Sequence, residues 1–171
     1  HKQTLSLDRT LADYLPELAS KIEYADQITL RMMLRHRSGI PNYVDDAAFD
    51  WGNPLIQISE NLALVLDDSA EFKPDTDYQY SNTNYLLIGE ILDDALGYSH
   101  HEYISKELLS PLGLTNTYAL LSEVSREDVV SGYYTGYEDD MKELDYVVPG
   151  ASMVATAQEV GVFLRALIDG S

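Results

Sequence analysis

One run constrains the sequence more than any other: Thr83 to Leu96, where Ile88, Ile91, Leu92 and Ala95 recur at helical spacing and Gly97 ends the pattern. A stripe of this kind has to be covered, so the chain needs further amphipathic elements to close a core around it. Asp8 is placed to cap a brief helix with Leu11 and Leu15 on one face. Thr29 is placed to cap a second over 30–37, ended by Gly39 and Pro41. Asn53-Pro54 opens a third that runs to about Asp67 with Leu55, Ile58, Leu62 and Val65 at helical spacing. Ser99 and Glu102 have capping-box spacing before a helix to about Leu109. Thr156 and Glu159 repeat it before a last helix through Ile168, closed by Gly170. Ser125 to Val130 reads as one more helical turn. Tyr78-Gln79-Tyr80 reads as extended and residues 132–146 as a small β-hairpin. The pattern predicts a mainly α chain with a minor β part, and the 171 residues read as a single region.

Composition narrows the function. The 29 acidic residues outnumber 11 basic ones, for a formal net charge of -18. Such a surface repels phosphate backbones and anionic headgroups, so neither a nucleic-acid nor a peripheral-membrane role is expected, and no apolar run approaches the ~18 to 20 residues that membrane insertion of a helix needs. The chain has no cysteine, which removes thiolate nucleophiles and cysteine metal sites. The four histidines, His1, His36, His100 and His101, lack zinc-hydrolase spacing and read as structural or solvent-exposed. His100 and His101 are expected to point apart as helix neighbours. The paired aspartates lack calcium-loop spacing and read as solvated faces. No metal and no cofactor is expected. The thirteen tyrosines read as residues of the core and its rim.

Tyr80-Ser81-Asn82 lies between a turn at 72–76 and the strongest helix. A tyrosine there can exchange a proton, and an asparagine two residues on can hold an amide. The alternative is a helix cap beside a packed tyrosine. The surroundings favour the chemistry. Leu5-Ser6-Leu7-Asp8, Tyr14-Leu15-Pro16, residues 34–41 and 74–85, Gly89-Glu90-Ile91, Pro111-Leu112-Gly113-Leu114 and Thr117 form an ordered series. The tail Pro149-Gly150-Ala151-Ser152-Met153 follows, with Thr156-Ala157 and Phe163-Leu164. Together they resemble the serine β-lactamase-like family of class C β-lactamases, D-alanyl-D-alanine carboxypeptidases and related esterases. The stretch from Tyr80 to Tyr85 with Gly89-Glu90 is the most specific part, and the loop match is looser at Ala151, where the family has a second glycine.

The resemblance implies acyl transfer through a serine in a Ser-x-x-Lys motif, with a tyrosine from Tyr-x-Asn sharing proton transfer. It makes Tyr80 the catalytic acid/base candidate and Asn82 the substrate-binding residue, with Ser81 a spacer. The residues three before Lys21, Lys73, Lys106 and Lys142 are Leu18, Ala70, Tyr103 and Asp139, so the chain contains no Ser-x-x-Lys and no nucleophile is assigned. Arg37-Ser38-Gly39 imitates the family's third motif, but its neighbours match a different segment. The family places both missing motifs outside the span seen here. The chain, which opens on His1-Lys2-Gln3, is therefore expected to be an internal fragment. Its fold would be the helical lobe of the β-lactamase/penicillin-binding-protein-like fold, largely without its α/β lobe, and inactive alone. The full protein would act on β-lactams, D-alanyl peptides or small esters, in the periplasm or outside the cell. The competing expectation is a non-catalytic binding module or pseudoenzyme recognising cell-wall peptide or glycan.

Overall fold

The computed structural model describes residues 5–53, 55, 57–136, 140, 142 and 152–170. Contacts gather into two compact units: residues 1–97 with 148–150, and residues 98–147 with 151–171.

The first unit is built on α4, Asn82–Leu96. Helix α4 packs against α2 (Leu30–Leu34), α3 (Ile58–Ala63) and a 3-10 turn at Tyr43–Asp45. Covered on several sides, its first half is buried nearly all round, at Thr83, Asn84, Leu86, Leu87, Ile88, Gly89 and Ile91. The expected stripe is thus too narrow: Leu86 and Leu87 are wholly buried, while Leu92 and Ala95 are half-buried. Leu11, Ile28 and Met33 complete the most enclosed part of this core. Burying one such side chain contributes about 1.5–3 kcal/mol, which helices this short need, because isolated helices below about 12 residues are marginal in water.

Several helix limits differ from the sequence reading. Thr10, not Asp8, caps α1 (Leu11–Tyr14), through a reciprocal box with Asp13. Asp8 instead binds Arg31 Nε at 2.9 Å, and that guanidinium holds its carboxyl below the usual aspartate range. Thr29 does cap α2, accepting from the Met32 amide, but α2 stops at Leu34. Helix α3 occupies only the middle of its expected span, and Gly97 ends α4 with a left-handed backbone as expected.

In the second unit, α5 (His100–Tyr103) runs into a π-helical stretch, Ile104–Leu109. Ser99 caps α5 through the His101 amide. The rings of His100 and His101 do not point apart; their centroids lie 4.1 Å from each other. Two short strands pair antiparallel, β1 (Thr117–Tyr118) with β2 (Val154–Ala155), in the register Thr117 to Ala155. Residues 132–136 carry no strand, and most of the rest of the expected hairpin lies outside the described residues. The turn expected within 125–130 is a 3-10 turn at Arg126–Asp128. Helix α6, Ala157–Asp169, has Thr156 as its cap. Among the described tyrosines only Tyr43 is buried, so they belong to the rim and surface more than to the core.

Candidate active site

The candidate site lies in the first unit, where an extended segment runs from Tyr78 into α4 beside residues 36–42. Its backbone is tied to His36: the Gln79 amide donates to the His36 carbonyl at 3.1 Å, and the Ser81 amide to His36 Nδ1 at 3.2 Å. Ser81 is extended (φ -143, ψ 118), so its side chain leaves the backbone opposite to its neighbours. It turns inward, 1% exposed, and Ser81 Oγ donates to the Pro41 carbonyl at 3.2 Å. Its hydroxyl is thus buried and spent on a backbone carbonyl.

Tyr80 goes the other way. It is 56% exposed, and its ring stacks on the His36 imidazole with centroids 4.2 Å apart and planes 29° from parallel. Tyr85 tilts against the same imidazole at 5.3 Å and Tyr78 meets it edge-on at 6.2 Å. Tyr80 is thus packed against His36 and still more than half open to solvent. Ser81 stands at the N-cap of α4, but its side chain makes no capping bond. Asn42 does that work from across the loop: its Oδ1 accepts from the Asn82 amide at 2.9 Å and from Asn82 Nδ2 at 3.1 Å. This leaves Asn82 Oδ1 without a hydrogen-bond partner among the described residues. Asn82 is half-buried and keeps one Nδ2 hydrogen besides, so an acceptor and a donor remain for an amide.

Behind this edge the polar groups are committed. Ser38 Oγ donates to Asn84 Oδ1 at 2.6 Å and accepts from the Ile40 amide at 3.1 Å. Thr83 Oγ1 donates to the Pro41 carbonyl and accepts from the Tyr43 amide. Arg37 Nε binds Asp75 Oδ1 at 2.5 Å, and the Asp75 amide returns a bond to the Arg37 carbonyl at 2.9 Å. Gly39 has φ +79, and a Cβ there would meet the Phe72 carbonyl oxygen at 2.1 Å. Arg37-Ser38-Gly39 is thus a junction that fastens two loops to α4. All three residues take part in it.

His36, read from the sequence as structural or solvent-exposed, is the neighbour on which Tyr80 stacks. It is nearly buried, and burial pushes its imidazole below the ordinary histidine pKa. With the Ser81 amide directed at Nδ1, that atom carries a lone pair and the ring is the neutral Nε2–H tautomer. The signal that could have found it is the stop of α2. Read as a Gly position, the residue after the C-cap is His36, with φ 54.

A profile of the Beta-lactamase family matches residues 1–171. The chain belongs to this family. It is similar to penicillin-binding protein 4* of Bacillus subtilis, 30% identical over 125 residues, which cover 71% of this chain and 28% of that protein. Among solved structures it is similar to D-amino acid amidase from Ochrobactrum anthropi SV3, with a TM-score of 0.81 and 24% identity, covering 98% of this chain and 49% of the other. It also resembles a D-stereospecific amidohydrolase from Streptomyces sp., with a TM-score of 0.77 and 22% identity over 97% of this chain and 54% of that one. The fold is that of β-lactamase-like serine hydrolases and penicillin-binding proteins. The chain spans less than a third of its Bacillus relative and about half of these solved chains.

Proposed function

We propose that this chain is the helical lobe of a β-lactamase-like serine hydrolase and carries one edge of its active site. The α/β lobe, with the Ser-x-x-Lys nucleophile and the third motif, would come from sequence outside these residues. In that protein a serine Oγ attacks the carbonyl carbon of an amide, lactam or ester, the leaving group departs with a proton, and water hydrolyses the acyl-enzyme. Tyr80 would move the proton between the serine and the leaving group, and Asn82 would hold the substrate's amide side chain. The observation that carries this reading is the alternation at 80–82. Tyr80 stands out in solvent on a fixed stack, Ser81 is buried, and the Asn82 amide oxygen has no partner among the described residues. A substrate amide offers an N–H to that oxygen and a carbonyl to the remaining Nδ2 hydrogen.

Two of the similar proteins are named for D-selective amide chemistry, a D-amino acid amidase and a D-stereospecific amidohydrolase, and a third for binding penicillin. D-alanyl peptides and their β-lactam analogues are the substrates this suggests, with small esters next. These residues alone would be inactive, because a cooperative catalytic set loses most of its rate with one member. Tyr80→Phe in the full-length protein, assayed on a D-alanyl peptide and a chromogenic β-lactam, should lower kcat/KM on the order of 10²- to 10⁴-fold. Unchanged turnover would remove Tyr80 from the chemistry. Saturable binding of cell-wall fragments without turnover would instead favour the binding module.

A further inference from the structure

Helix α2 ends in a left-handed turn whose bonds are those of a Schellman stop. The His36 amide donates to the Met33 carbonyl at 3.1 Å and the Arg37 amide to the Met32 carbonyl at 2.8 Å. That motif places a glycine, or failing that an asparagine, where His36 stands with φ 54. A bulky residue held in this backbone region calls for a reason elsewhere. The side chain supplies one. Its Nδ1 accepts from the Ser81 amide at 3.2 Å and lies 3.5 Å from Asn84 Nδ2, and its face carries the Tyr80 ring at 4.2 Å. One imidazole thus holds both the backbone of the Tyr80–Asn82 segment and the ring of Tyr80.

We infer that His36 is the positioning residue for Tyr80, holding the phenol against its imidazole face while anchoring the segment through the Ser81 amide. This rests on the proposed role of Tyr80 and adds what keeps it in place. An exposed tyrosine on an extended segment otherwise samples several χ1 rotamers, and a proton-transfer group displaced by an ångström loses rate steeply. Tyr85 and Tyr78 close around the same ring, so the platform is itself braced.

The informative substitution is His36→Asn, because asparagine tolerates the left-handed backbone and keeps an acceptor but has no ring. In the full-length protein kcat should fall about tenfold or more with KM within about twofold, since the amide-holding side of the site is untouched. Tyr80 ring resonances should shift in the same variant, while the thermal midpoint stays near that of the parent. Full kcat in His36→Asn, where Tyr80→Phe is severely impaired, would overturn the inference and leave the role of Tyr80 standing. If Tyr80→Phe itself turns over normally, the proposed function fails and the positioning role falls with it. Should His36→Asn not fold, the unsubstituted protein decides. Tyr80 ring protons must show ring-current shifts and through-space contacts to the His36 imidazole, and a freely averaging Tyr80 ring contradicts the inference.

Discussion

His36 and Gly39 both hold left-handed backbones within one loop, for opposite reasons. At Gly39 there is no room for a side chain, because the Phe72 carbonyl oxygen fills the space a Cβ would take. Gly39→Ala should therefore destabilise the fold by more than about 2 kcal/mol, from strain and overpacking together, read as a loss of unfolding free energy in urea. Asn42 is needed for its oxygen. Asn42→Ala leaves the Asn82 amide without its acceptor and should cost about 1–2 kcal/mol by the same measurement. A stability unchanged by Asn42→Ala would mean that solvent caps α4 equally well. Tyr80 and Asn82 could be proposed from the sequence because their signal is local, a tripeptide between a turn and a helix. Their supports could not, since Asn42 and His36 reach them from about forty residues away and no periodicity links the two.

At the scale of elements, individual side-chain caps were easier to read than helix lengths, although Asp8 and Asn53 do not open the helices expected of them. Thr29, Ser99 and Thr156 cap where expected, because a side-chain oxygen beside free amides is a local contact. Glu159 shows where spacing misleads. It stands in capping-box register with Thr156, yet its carboxylate accepts from Thr117 Oγ1 at 2.6 Å and from the Asn116 amide at 3.0 Å. It pins the approach to β1 to α6, a long-range pairing of two-residue strands that leaves no period in the sequence. The Thr117 hydroxyl, with help from Asn116, holds the Glu159 carboxyl below the ordinary glutamate range. The native state therefore binds this proton less tightly than the unfolded chain. The stabilisation is complete above the unfolded pKa and is lost as pH falls through the lower native one. In thermal melts, the gap between the parent and Glu159→Gln should narrow as pH drops from 7 toward 3. A gap that stays constant with pH would show that the charge contributes nothing.

At the scale of the whole molecule, the family and the largely helical character were legible, since an ordered series of short motifs survives without knowledge of packing. The exposure of α6 was not. It has no buried residue, and Val160, Leu164, Leu167 and Ile168 are all exposed, Ile168 at 85%. An apolar helix face of this kind favours association, while a net charge of -18 opposes it. Association of the isolated chain should therefore strengthen with added salt in sedimentation velocity and weaken in Leu167→Lys. A monomer at all salt concentrations would contradict this.

The central claim is that these residues bear the Tyr80 and Asn82 edge of a serine hydrolase site without its nucleophile. Intact-mass measurement of the isolated chain after incubation with a reporter penicillin tests it most directly. The account predicts an unchanged mass at every incubation time. A one-to-one acyl adduct on any serine of this chain would contradict it.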